Sequence, residues 1–172
     1  MMWIDHIRNA AIVLSVLVAL IAGVILIMGP ESLPVGDQDS ALAPVDFATL
    51  SRPEGEESYL ACPIGVCPEA GPDATSPVVN MDAGELQQRL LELVDRSPDI
   101  SIDYMSPRTR QFRFLVRGPD MLAPDVVSVR VFDLEGGAGI AVYSRTPVGN
   151  ADRQRHAARV TRWLAVLAGV SG

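Results

Sequence analysis

The chain has 172 residues and a mass of 18.4 kDa, room for one modest domain and an appendage. Its net charge is −7, which argues against a general nucleic-acid binder, since that function needs a basic face to displace counterions. All 14 cationic residues are arginine, so lysine Schiff-base chemistry and a lysine-bearing phosphate loop are excluded.

The first element is apolar. Residues 10–28 carry no charge, and twelve of these nineteen are Ile, Leu or Val. As a helix this run spans about 28 Å, close to the ~30 Å hydrocarbon core of a bilayer. Twelve such residues favour insertion by roughly 4–7 kcal/mol. Arg8 precedes the run, whereas Glu31, Asp37, Asp39 and Asp46 follow it before the next cation, Arg52. The positive-inside rule therefore predicts a cytoplasmic amino terminus, with Trp3 at the inner interface, and a C-terminal part outside a bacterial inner membrane, in the periplasm. A cleaved signal peptide is the alternative. The run is longer than a typical signal core, and Ala41-Leu42-Ala43, which has cleavage-site character, lies far beyond it with Pro44 next. The expected organisation is an anchor at 1–30, a Pro- and acid-rich tether at 31–57 and a domain at 58–172. Within the tether, Asp46 to Leu50 is a candidate to pack back on the domain.

Cys62 and Cys67 are the only cysteines. Proline and glycine between them can turn the chain back, and outside the cytoplasm a short disulfide is the expected state. Two rivals stand beside it. A metal site would need two further ligands, and the only histidines are His6 and His156. A redox-active pair usually has a two-residue spacer, not four.

A regular pattern follows a proline-studded loop at 58–77. Val78 to Met81 is a short strand candidate. Asp82 with Glu85 resembles a capping box, and Leu86, Leu90, Leu93 and Val94 predict an amphipathic helix to about Arg96. Ile100, Ile102 and Tyr104 alternate with polar residues, as do Phe112, Phe114 and Val116, then Val127, Val129 and Val131, then Ile140 and Val142. Four strands with hairpin-length links predict an antiparallel sheet. A last helix is expected from about Ala151 to Ala168, capped by Asn150, with Ala157, Val160, Leu164 and Leu167 as its apolar stripe. The fold class is therefore α+β, two helices packed on one face of an antiparallel sheet behind a transmembrane helix.

Several of these blocks resemble the domain of unknown function 1499 family of bacterial envelope and plastid proteins. Ser144-Arg145, Val148-Gly149, Asp152, Arg159-Val160 and Trp163-Leu164 are similar to its C-terminal signature. The stretch from Pro124 to Val129 resembles its Pro-Asp-hydrophobic strand. Tyr59-Leu60-Ala61 with Cys62, Cys67 and Ser76-Pro77-Val78 is similar to its amino-terminal block. The likeness covers roughly residues 46–168. Thr146 and Pro147 are extra, Gln154 and His156 stand where the family shows Gly and Asn, and Ala157 replaces an arginine. The resemblance implies fold and location, not chemistry.

The candidate site is the turn before the last helix, with Arg145, Asn150, Asp152, Arg153, Arg155 and Arg159. Arginines beside a helix amino terminus can clamp a phosphate or carboxylate. The competing expectation is a structural network with Arg145 paired to Asp152. A lone helical histidine such as His156 is usually a surface residue, and Ser144 lies in no nucleophile elbow. Arg113, Arg117 and Arg130 form a basic stripe that is either solvated or a partner-binding face. No catalytic constellation, cofactor motif or metal site is expected. The functional expectation is a membrane-anchored, non-enzymatic interaction domain, an accessory or assembly subunit of an envelope complex. Its alternative is binding of, or action on, an anionic small molecule or lipid headgroup at Arg145–Arg159.

Overall fold

The computed structural model describes residues 44–53, 55–119, 121–149 and 152–169, with His6, Val13 and Ser15. Apart from Val13 and Ser15, the expected span at 10–28 lies outside the described residues, as does the tether before Pro44. Among the described residues no helix is long and apolar enough to cross a membrane. The chain divides into two compact units, Met1–Ala43 and Pro44–Gly172. Residues from Pro44 onward thus belong with the C-terminal unit, whose edge the sequence had placed at Ser58.

That unit is a six-stranded sheet with two helices, an α+β fold. In chain order the elements are β1 (Ser58–Cys62), β2 (Ala74–Thr75), α1 (Ala83–Asp95), β3 (Ile100–Ser106), β4 (Gln111–Val116), β5 (Asp125–Leu134), β6 (Gly137–Arg145) and α2 (Arg153–Leu167). The strands lie in the order β2-β1-β6-β5-β4-β3. The expected all-antiparallel, four-stranded sheet is corrected in two ways. The cysteine segment contributes β1, which runs antiparallel to β6, and β2 pairs parallel with β1, so the sheet is mixed. Tyr59 to Cys62 lacked a strand signal because β1 is buried on both faces, which removes the polar alternation that marks a half-exposed strand.

Val78 to Met81 forms no strand. Val79 makes one bridge to Ala138, with both backbone hydrogen bonds, Val79 N to Ala138 O at 2.8 Å and Ala138 N to Val79 O at 3.0 Å. This close approach explains Gly137, which has φ +141° and whose added Cβ would fall 2.0 Å from the Val79 carbonyl oxygen.

The main core lies on the helix face of the sheet. Phe112, Phe114, Val127, Val129, Ala138, Ile140 and Val142 meet Leu86, Leu90 and Val94 of α1 and Val160, Trp163 and Leu167 of α2. Asp82 caps α1 by accepting from Glu85 N at 2.8 Å, as the sequence suggested, while the Glu85 carboxylate turns to Arg89, also at 2.8 Å. The buried stripe of α2 is His156, Val160, Trp163 and Leu167. It is rotated from the expected one, because Ala157 and Leu164 sit at its half-buried edge. Trp163 packs edge-on to Phe114 with ring centroids 5.8 Å apart, a large apolar contact that sets the helix rotation.

The other face carries a second, smaller core of Phe47, Leu60, Cys62, Cys67, Ala70, Ala141 and Tyr143. Phe47 is fully buried and meets Phe132 edge-on at 6.5 Å. Cys62 and Cys67 are joined by a disulfide inside this cluster, so neither thiol is available to a metal. On the far side β3 is an edge strand whose register slips between Ile102 and Tyr104, leaving Ile102 exposed where alternation predicted an inward residue.

Candidate functional site

The β5–β6 register pairs Val126 with Arg145 and Val127 with Ser144. One step further along, Asp125 and Thr146 are opposite each other. Asp125 shares a face with Val127, Val129 and Val131, and Ser144 shares it with Ile140 and Val142, because side chains alternate along a strand. This is the helix face. Polar groups at the end of two apolar rows are thereby placed under α2, which lowers His156, Arg155 and Arg159 onto them.

The result is a closed polar cluster. Asp125 is 0% exposed and accepts from Arg159 Nη2 at 2.7 Å, from Arg155 Nε at 3.1 Å and Nη2 at 3.2 Å, and from Thr146 Oγ1 at 2.6 Å. His156, also 0% exposed, has Nδ1 2.9 Å from Ser144 Oγ and Nε2 3.1 Å from Thr146 Oγ1. Arg159 Nη1 donates to Ser144 Oγ at 2.9 Å. Donor counting fixes the tautomer. The Thr146 proton goes to Asp125, so Thr146 Oγ1 accepts from His156 Nε2–H, and His156 Nδ1 accepts the Ser144 proton.

Burial alone would raise the Asp125 carboxyl. Hydrogen bonds from Arg155, Thr146 and Arg159 outweigh it and hold the group below its ordinary value. Burial pushes His156 down, and the Arg159 and Arg155 charges add to that against the attraction of Asp125. The imidazole is neutral beside an anion that already has two guanidinium partners. The order Ser144, His156, Thr146, Asp125 has the connectivity of a proton relay. Ser144 is 0% exposed and its oxygen is taken by Arg159, so no substrate atom reaches it in this arrangement.

The expected site arginines divide among three places. Arg155 and Arg159 meet at Asp125. Arg153 instead joins Arg52 on Asp73, at 2.7 and 2.6 Å, tying the start of α2 to the segment before β1. Arg145 turns to the opposite face, 3.8 Å from Glu56 and 5.8 Å from the Tyr143 ring centroid, so it is not paired with Asp152. Tyr143 donates to Glu56, and burial together with that carboxylate pushes its phenol well up. Asp152 is the cap of α2, accepting from Gln154 N at 2.9 Å and Arg155 N at 3.1 Å. Asn150, expected in that role, lies outside the described residues.

The structure adds residues that the sequence reading passed over. Asp125 and Thr146 enter the sequence analysis only through the family resemblance and not as site residues, and His156 is buried rather than on the surface. The signal was present. Asp125 falls in phase with three valines of one strand, and His156 lies four residues before Val160 and seven before Trp163.

Beside the cluster lies a cleft of about 410 Å³ between the end of α1, the starts of β3 and the β4–β5 loop, and α2. Arg155 and Arg159 line it together with Arg96 and Arg162, against one acid, Asp99, among the described residues. Arg162 has no carboxylate partner among the described residues. No group of side chains suited to a metal ion occurs among the described residues.

No family model matches the chain, and no curated protein matches it significantly. Among solved structures, the crystal structure of Ara h 8.0201 is similar at 12% identity and a TM-score of 0.42, over 56% of this chain and 93% of that one.

Proposed function

We propose that the chain is a non-enzymatic binding domain that captures a phosphate- or carboxylate-bearing ligand in the cleft between α1 and α2. The observation that carries this is a local reversal of charge. Among the described residues four arginines and one acid, Asp99, line the cleft of a chain whose net charge is −7; Arg155 and Arg159 share the single carboxylate of Asp125, Arg96 reaches Glu92 at 3.5 Å, and Arg162 has no carboxylate partner. Guanidinium forks match such anions in geometry, and Asp125 holds two of the four in place before any ligand arrives. The sealed state of Ser144 and His156 favours binding over turnover.

The same reading keeps an anchor at residues 10–28, a cytoplasmic amino terminus and a periplasmic C-terminal unit in a bacterial inner membrane. Its supports are the uncharged apolar run, the arginine and acid asymmetry around it, and the disulfide, which suits an oxidising compartment. Membership of the domain of unknown function 1499 family belongs to the same proposal. A role as an assembly subunit has less support from the geometry. It drew on the stripe of Arg113, Arg117 and Arg130, and Arg113 is tied to Asp103 at 2.5 Å while Arg130 stacks over Phe132 at 5.0 Å.

Full-length protein titrated with inorganic phosphate, acetate and succinate in a thermal-unfolding assay tests the binding reading. At a hundred times the dissociation constant a ligand stabilises by about 2.7 kcal/mol. The expected upward shift is lost in Arg96→Ala and Arg162→Ala together. No shift with any of these anions, or a shift indifferent to both arginines, ends the proposal. A periplasm-active reporter fused to the C-terminus tests the orientation, and activity only from an amino-terminal fusion would reverse it.

A further inference from the structure

The cleft offers more than charge. Below its arginines lie Ile100, Val116 and Trp163, with Met121 at its wall. Val116 and Trp163 are each 5% exposed, so the floor is the upper surface of the main core. A second depression, of about 580 Å³, shares Asp99, Ile100, Gly118 and Met121 with the cleft and none of its four arginines. That depression is polar, with Arg117, Ser101 and Asp99 in its lining, so the apolar surface beside the four arginines is that of the cleft itself, where Leu93 and Val166 join Ile100, Val116, Met121 and Trp163. Met121, whose Sδ receives the Gly118 N–H at 3.0 Å, stands where the two meet. A thioether is soft and adaptable, suited to a partner of variable shape. An inorganic anion would satisfy the arginines and leave the floor wet.

Resting on the anion-binding reading above, we propose that the ligand is an amphipathic anion. One phosphate or carboxylate is held by Arg96, Arg155, Arg159 and Arg162, and an apolar chain lies over Trp163, Ile100 and Met121. The cleft volume falls in the ~300–1,000 Å³ range of small-molecule sites. Its mix of a charged rim and an apolar floor is filled by neither of two simpler ligands. A neutral hydrocarbon would bury guanidinium groups without an anion, and a bare ion would bury no apolar area. Two sources share this chemistry, a soluble alkyl phosphate or carboxylate and a membrane lipid with an anionic headgroup.

The test uses full-length protein carrying Trp3→Phe, in nanodiscs of zwitterionic lipid on a tryptophan-free scaffold, so that Trp163 reports alone. It is titrated with inorganic phosphate and with butyl, hexyl and octyl phosphate, and with octyl glucoside as an uncharged control. Each buried methylene contributes about 0.8 kcal/mol, so affinity should rise about twofold to fourfold per CH₂ in a partly open cleft. Val166→Ser, at an exposed position on the cleft wall, should lower that slope while inorganic phosphate still binds. Affinity that ignores chain length, with phosphate binding intact, overturns the amphipathic ligand and leaves the anion site standing. Octyl glucoside binding as well as octyl phosphate also overturns it. Absence of binding by every probe removes both readings. Doping the nanodiscs with an anionic phospholipid assigns the source: displacement of octyl phosphate marks the lipid, and undisturbed binding marks a soluble amphiphile.

Discussion

Asp125 at the start of β5 and Arg159 in the second turn of α2 are 34 residues apart in sequence and 2.7 Å apart in the fold, with side chains 0% and 11% exposed. This contact, reinforced by Arg155, fastens the last helix to the centre of the sheet. Asp125→Asn keeps the shape and removes the charge. Two guanidinium groups then lose their counter-ion at a buried position, a loss worth about 3–5 kcal/mol. Denaturant unfolding should show a lower midpoint with little change in slope. A loss below about 1 kcal/mol would mean the cluster is better hydrated than its burial implies.

Acid should weaken the protein in two stages. His156 ordinarily titrates near 6.5 and is held lower in the fold. Below that pH the unfolded chain binds a proton that the folded one refuses, so stability falls as pH drops from 6.5 toward the folded value. Asp125 ordinarily titrates near 3.8 and is also held lower. Its contribution is intact above that pH and is lost as pH falls through the folded value. Unfolding midpoints measured from pH 8 to 2.5 should decline in both windows. His156→Gln should remove the upper decline and keep the lower one. An unchanged upper decline would show that the folded imidazole titrates normally.

Phe47 predicts where the C-terminal unit begins. Its ring is fully buried against Phe132 and the disulfide cluster. Phe47→Ala should cost about 3–5 kcal/mol. A chain starting at Ser58 should be less stable than one starting at Pro44 by at least as much, measured by thermal unfolding. Equal stability of the two would return residues 44–57 to the tether.

The disulfide closes a short loop, and its two cysteines are 1% and 4% exposed. Replacing both with serine should cost about 2 kcal/mol on the chain-entropy model. Burial also predicts that a mild reductant opens the bond only when the protein unfolds. Mass spectrometry after alkylation should then find labelled thiols in step with the unfolded fraction. Fast labelling of the native protein would place the bond at the surface.

Much of the frame is legible in the chain itself. Period-two alternation located β4, β5 and β6, and period 3.6 with an Asp82 cap located α1, because each pattern is local and each element buries one clear face. Local pattern fails where burial is two-sided. Ala141, Tyr143 and Leu60 point away from the helices, yet they are covered by Phe47 and the cysteine loop. It fails again for polar residues in an apolar phase. Asp125, Ser144 and His156 each occupy a core position, and nothing nearby in sequence announces the partners that make such burial tolerable.

The sequence alone determined the inventory: an uncharged apolar run, a pair of cysteines, and arginine as the sole cation. It also determined which residues could alternate or turn. Only the tertiary structure decided the pairing. Which arginine meets Asp125, which meets Glu56 or Asp73, and which stay open to the cleft depend on strand register and helix rotation. Those are set by packing between segments far apart in the chain, where a shift of one residue would exchange the buried face for the exposed one.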